Sequence, residues 1–181
     1  MCLRNKDRVA TTVATVGDIS LDDGDVDVLF QARFLIRPDT SHLGAYSGRP
    51  ASSDAETRLR KAARRRVGRM NEAPEPVAAL YGTKDSPYLC ADPCYMDAVP
   101  SDPRARAALN TLEREITAQL RDTVLGPGDI CFIDNFRAVH GRSAFTPRYD
   151  GTDRWLKRIN VTRDLRRSRT YRLSSGSRII Y

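Results

Sequence analysis

The chain has 181 residues, enough for one domain with its own hydrophobic core and too few for two of ordinary size. With 40% apolar and 29% charged residues it is no disordered polyelectrolyte, and no apolar run approaches the roughly 20 residues of a membrane span. The formal charge of +7 raises nucleic acid as a partner, but the surplus in "RLRKAARRRVGR" (Arg58–Arg69) and after Arg163 has no interleaved aromatics on which bases could stack. A solvated basic face is the simpler reading, and nucleic acid is disfavoured. The opening "MCLRNKDRVATTV" has no apolar stretch with a small-residue cleavage site, so the expectation is a soluble cytoplasmic protein. Oligomeric state leaves no trace in the sequence.

Four cysteines (Cys2, Cys90, Cys94 and Cys131) are expected to be free thiols. Cys90 and Cys94 lie in "SPYLCADPCYM", which reads as extended, and four strand residues span about 13 Å. A disulfide needs Cα atoms within about 7 Å. Two separated histidines do not complete a zinc site.

In chain order, "VATTVATV" (9–16) is β-branched and predicts a strand. "SLDDGDVDVLFQ" predicts a short helix capped by Ser20, with acids in its first turn. "ARFLIRP" reads as a strand stopped by Pro38, and residues 39–55 as a loop long enough to be a lid. The basic run follows as an amphipathic helix with Leu59, Ala62, Ala63, Val67 and Met70 on one face. "EPVAALYG" and "SPYLCAD" read as extended around a turn. "SDPRARAALNTLEREITAQLRD" is the clearest helix, capped by Ser101 or Asp102, with Pro103 in its first turn and a stripe of Leu109, Leu112, Ile116 and Leu120. After Gly126 to Gly128, "DICFIDN", "FRAVHG" and "RWLKRINVTRD" predict three strands. There is no internal repeat and no interdomain linker. The fold class expected is mainly β with flanking helices, as an antiparallel sandwich or jelly roll.

His140, one of two histidines, lies between apolar runs with arginines behind it. Arg154 and Arg158 are four apart on a predicted strand and so share a face. Two guanidiniums on one face repel unless an anion sits among them, and a small diacid held by an arginine fork, such as 2-oxoglutarate, suits that pattern. The alternative is a surface ladder of charges, which Trp155, Leu156, Ile159 and Val161 partly resist because they imply a buried face.

The stretch "GDICFIDNFRAVHGRSAFTPRYDGTDRWLKRINVTRD" resembles the C-terminal signature of the iron(II)/2-oxoglutarate oxygenases of the taurine dioxygenase and clavaminate synthase-like superfamily, closest to the asparagine oxygenase and arginine β-hydroxylase group. "CLRNKDRVATTVATV", "LFQARFLIRPDTSH", "RRVGRMNEAPEPVAALYG" and "SPYLCADPCYMD" resemble successive blocks of the same family, in order. The resemblance implies a partial double-stranded β-helix over 1–181, a single but incomplete domain. It implies His140 as an Fe(II) ligand, Arg154 on the C5 carboxylate of 2-oxoglutarate, and Arg158 on the other carboxylate or the same site. It also implies Thr11, or equally Thr12, as a hydroxyl contact to that cosubstrate. The reaction implied couples O₂ and oxidative decarboxylation of 2-oxoglutarate to hydroxylation of an unactivated C–H bond.

A facial triad needs two histidines and a carboxylate. The family brings the other two ligands as His-x-Glu or His-x-Asp well before the "CLRN" block, with which this chain begins. His42 is followed by glycine at position 44 rather than a carboxylate and reads as a polar loop residue. The resemblance therefore implies an N-terminally truncated member, weak or inactive alone, with exposed core that favours association. In the arginine-hydroxylating members acids on the strand matching "YLCADPCYM" receive the cationic side chain. Asp92 holds one such position, with the shaping of a turn before Pro93 as its alternative role. The substrate class implied is a free L-amino acid, arginine, lysine or a relative, in peptide antibiotic or other secondary metabolism. The competing reading is a non-catalytic remnant that serves as a binding or interaction module.

Overall fold

The computed structural model describes residues 1–39 and 50–181. They form two compact units, one of residues 1–35 and 76–159, the other of 36–75 and 160–181.

In the first unit short strands form small sheets. β1 (Cys2–Arg4) pairs antiparallel with β9 (Trp155–Leu156). β2 (Thr11–Thr15) lies between β7 (Arg121–Thr123) and β8 (Ala138–Arg142), antiparallel to both. β3 (Phe34–Ile36) pairs with β6 (Met96–Ala98), and β4 (Leu80–Thr83) forms a hairpin with β5 (Ser86–Leu89). At the hairpin, Gly82 has a φ of 89°, a left-handed conformation that other residues rarely adopt.

Two helices close this core. α1 (Asp23–Leu29) is capped by Asp22, whose carboxylate accepts from the Asp25 amide at 2.6 Å, so the cap falls two residues beyond the expected Ser20. α3 (Pro103–Ala118) is capped by Asp102 with proline at its start, and buries Ala105, Ala108, Leu109, Leu112 and Ile116 at helical spacing. Arg33 grips the Asp102 carboxylate through Nε at 2.6 Å and Nη2 at 2.5 Å, so the cap is itself clamped to the segment entering β3. Phe34, Leu29, Leu80, Leu112 and Cys2 are the largest fully buried side chains.

The second unit is built on α2 (Asp54–Glu72), capped by Ser53. Its buried face is Glu56, Arg60 and Ala63, not the expected apolar stripe: Met70 is 48% exposed. The Glu56 carboxylate accepts from the Ser52 amide and hydroxyl, from Arg60 and from the Tyr181 hydroxyl. A charge network thus does the packing that apolar residues were expected to do. These hydrogen bonds, chiefly those from Ser52, hold the Glu56 carboxyl down at about 2. Residues 165–171 form a 3-10 turn whose Tyr171 ring lies against the Arg66 guanidinium, 4.3 Å away.

Several expectations fail for one reason: a strand persists only where its backbone finds a partner. "DICFIDN" forms no strand; its flanks bond at Asp129, whose carbonyl accepts from Cys2, and at Phe136, whose carbonyl accepts from Leu89. "RWLKRINVTRD" is strand only at Trp155 and Leu156. Trp155, Ile159 and Val161 are 53%, 85% and 87% exposed, so the buried face expected for this segment is not present in this chain. The clearest helix stops at Ala118, leaving Leu120 exposed and Arg121–Thr123 free to pair with β2. "CADPC" turns rather than extends, with the Asp92 carbonyl accepting from the Tyr95 and Met96 amides. The cysteines are free all the same. Among the described residues, helices of 7, 19 and 16 residues stand beside nine short strands in small sheets, so the architecture is mixed where mainly β was expected.

Candidate dicarboxylate and metal site

In an antiparallel ladder, residues directly opposite share a face, and so do residues two apart on one strand. β2 and β8 pair Thr11 with Arg142 and Val13 with His140. Thr11, Val13, His140 and Arg142 therefore lie on one face, with Thr11 and His140 diagonal neighbours about 7–8 Å apart. Thr12 pairs with Gly141 and belongs to the other face.

Arg154 arrives at this face from the neighbouring β1–β9 ribbon and donates from Nη2 to the Thr11 hydroxyl at 2.5 Å. Of the two threonines offered by the sequence for the cosubstrate contact, Thr11 is the one that bonds Arg154. Thr11 is buried, and the Nε of Arg154 is buried without a hydrogen-bond partner. Desolvation holds the Arg154 guanidinium below its ordinary range, the nearby Arg142 charge adds to the drop, and Cys2 opposes it. An arginine in this state is a charge without its counter-ion, and a carboxylate is the natural complement.

The loop before Arg154 is built to aim it. The Asp153 carboxylate accepts from the Arg148 amide at 3.0 Å and the Tyr149 amide at 2.8 Å, while the Asp153 carbonyl accepts from Arg4 Nε at 2.9 Å. Tyr149 has a φ of 57° and Gly151 of 80°, the left-handed turns that fold this loop back. Arg148 forms an ion pair with Asp7, which fastens the loop to the segment between β1 and β2. That segment is itself held by buried Asn5, which donates to the Val9 and Leu125 carbonyls and accepts from the Val9 amide.

His140 is exposed on β8, and Arg142 lies over the Phe145 ring at 4.4 Å. Arg158 falls two residues past β9 and is exposed, so the shared-face argument that tied it to Arg154 loses its strand. Asp92 is exposed in the β5–β6 turn. His42 lies outside the described residues. Sequence reasoning gave no role to Arg142 or Asp153; the two-residue spacing of His140 and Arg142 was the available signal for the first.

The orphaned Nε and the Thr11 contact fit a carboxylate of 2-oxoglutarate. Iron is different. Among the described residues no three His, Cys, Asp or Glu side chains come together as a metal-binding group, so His140 alone does not make an iron site here.

The model of the taurine catabolism dioxygenase TauD, TfdA family matches residues 21–160. The chain is 47% identical over its full 181 residues to an enduracididine beta-hydroxylase of Streptomyces hygroscopicus. It is 44% identical over the same span to an L-ornithine/L-arginine 3-hydroxylase of Catenulispora acidiphila. The non-heme iron oxygenase OrfP, solved with Fe, succinate and (3S)-hydroxy-L-Arg, superposes with a TM-score of 0.84 at 40% identity over 99% of this chain. The chain spans about half the length of these relatives, 53% of each hydroxylase and 51% of the OrfP chain. A family model covering most of the chain, near-half identity from end to end and a matching fold lead to one conclusion: the chain belongs to the TauD/TfdA family of iron(II)/2-oxoglutarate oxygenases, beside the arginine and enduracididine hydroxylases.

Proposed function

We propose that this chain carries the 2-oxoglutarate-binding part of an oxygenase that hydroxylates a free L-amino acid, arginine, lysine or a relative, within one clavaminate synthase-like domain. The carrying observation is Arg154, desolvated, bonded to Thr11 and holding a buried Nε without a partner. In this reading Arg154 and Thr11 seat the distal carboxylate, Arg158 and Arg142 add positive potential, and His140 turns its imidazole toward the metal. Iron, when bound, activates O₂ for attack on the C–H bond; this chain's own residues orient the cosubstrate. Asp92 is assigned to the cationic end of the substrate, supported by its exposed carboxylate and by relatives that act on basic amino acids.

Because one imidazole holds iron weakly, the chain by itself is expected to bind the dicarboxylate and to turn over slowly or not at all. Calorimetric titration of the metal-free chain with 2-oxoglutarate is expected to give saturable binding that Arg154→Gln weakens at least tenfold. Equal binding by the variant would remove the assignment. With Fe(II) and 2-oxoglutarate, a stoichiometric charge-transfer band would show that the ligand set is complete after all. A second reading, a dicarboxylate-binding module without catalysis, is favoured by the absence of a three-ligand cluster among the described residues. Turnover of L-arginine by the chain would dismiss it.

A further inference from the structure

The positive charge of this protein is concentrated in one place. The second unit holds fifteen Lys and Arg against six Asp and Glu, whereas the first holds fifteen against seventeen. Within the second unit a cleft of about 440 Å³ is lined by one face of α2 and by the C-terminal segment. Arg58, Ala62 and Arg65 recur at helical spacing along one wall, with Leu59 beside them, and Arg172 and Leu173 form the other.

Arg172 is the anomaly. It is 5% exposed, and its guanidinium donates only to backbone carbonyls: Ser175 at 2.8 Å, Ser177 at 2.9 Å and Leu165 at 2.8 Å. Its Nε is buried without a partner. Among the described residues no carboxylate lies within ion-pair distance of Arg172, Arg58 or Arg65. Two acids of this unit are engaged elsewhere: Glu56 with Arg60, Ser52 and Tyr181, and Asp164 with Arg166. A buried cation is normally paired with an anion. Arg58, Arg65 and Arg172 also line the same cleft, and like charges that share a cleft repel one another until an anion joins them.

We propose that this cleft is a binding site for a small amphiphilic anion, with a phosphate or carboxylate head among Arg58, Arg65 and Arg172 and an apolar tail along Leu59, Ala62 and Leu173. The planar forks of three arginines suit a head with several oxygens. The aliphatic wall favours a ligand with a short hydrocarbon body over a bare inorganic ion. Every lining residue belongs to the second unit, so the proposal stands independently of the 2-oxoglutarate assignment.

The test is a titration of the full chain, followed through arginine Nε–Hε cross-peaks in nitrogen–proton correlation spectra, with Arg172→Lys to assign the Arg172 resonance. Hexyl phosphate and hexanoate are the probes, and hexanol and inorganic phosphate the controls. A saturable shift of the Arg172 resonance is expected with at least one alkyl anion, tighter than with inorganic phosphate and absent with hexanol. The relative affinities of the two alkyl anions identify the head. Arg58→Gln with Arg65→Gln, both at exposed positions, is expected to raise the dissociation constant at least tenfold with the melting temperature unchanged. No saturable shift, an equal shift with hexanol, or unchanged affinity in the double variant would each overturn the proposal and leave Arg172 as a staple of the C-terminal segment.

Discussion

Thr11→Val tests the central geometry without any ligand. Valine keeps the β-branched shape that a strand favours and removes only the hydroxyl. That hydroxyl is the acceptor for Arg154 Nη2, and Nε of the same group is already orphaned, so the substitution leaves a second donor of a half-buried charged group without its partner. Leaving such a donor unsatisfied costs about 1–3 kcal/mol. For a chain of this size each kcal/mol lowers the melting temperature by about 2–4 °C, so a drop of about 4–8 °C is expected for a cost near 2 kcal/mol. Arg154→Met in the Thr11→Val background replaces both partners by apolar groups and is expected to restore most of the loss. Thermal and urea unfolding of the four proteins in the cycle measure the coupling. Additive effects, with Arg154→Met no milder in the Thr11→Val background than alone, would refute the claim that Arg154 is a desolvated charge held by Thr11. The rescued double variant is also expected to lose 2-oxoglutarate binding, separating fold from function.

Three further outcomes are expected. The Glu56 carboxyl is held at about 2 in the fold against an ordinary value of 4.5, so its stabilisation is full above that ordinary value and is lost as pH falls from there through about 2. Urea unfolding of Glu56→Gln from pH 7 to pH 2.5 is expected to lack the part of the acid destabilisation that Glu56 causes, and a slope unchanged from the parent would count against the network. Gly141→Ala places a Cβ 3.0 Å from the Thr12 hydroxyl oxygen and is expected to cost about 1 kcal/mol, recovered when Thr12→Ala removes that oxygen, as denaturation midpoints will report. Asn5→Ala strips three hydrogen bonds from a buried position that organises the segment between β1 and β2, and is expected to cost about 2–4 kcal/mol by the same measurement.

What could be read from the sequence divides along a physical line. Elements whose signal is local were legible: β2 from its β-branched run and α3 from Pro103 and its apolar spacing, while α2 was legible as a helix but not in the face it buries. Elements that depend on distant partners were not. "DICFIDN" and the residues after Leu156 have the composition of strands, yet their backbones find few partners in this chain and stay irregular. β1 was missed for the converse reason, since a three-residue strand forms only because Trp155 and Leu156 lie opposite it. At the site, the motif pointed to His140, Arg154 and Thr11, and pairing puts His140 and Thr11 on one face where Arg154 reaches the Thr11 hydroxyl. The contribution of Asp153 was out of reach because it works through backbone amides, which carry no residue signature.

Among the described residues β8 is the outer strand of its sheet, bonded to β2 along one edge only. Successive amides of a strand point alternately to its two edges, so those of residues 139–142 divide into a set locked against β2 and a set turned outward, while the Ala138 amide is held by the Asp134 carbonyl. Deuterium uptake along the histidine strand should accordingly alternate between slow and fast. An open strand edge of this kind offers unpaired amides and carbonyls to solvent, here beside the imidazole of His140.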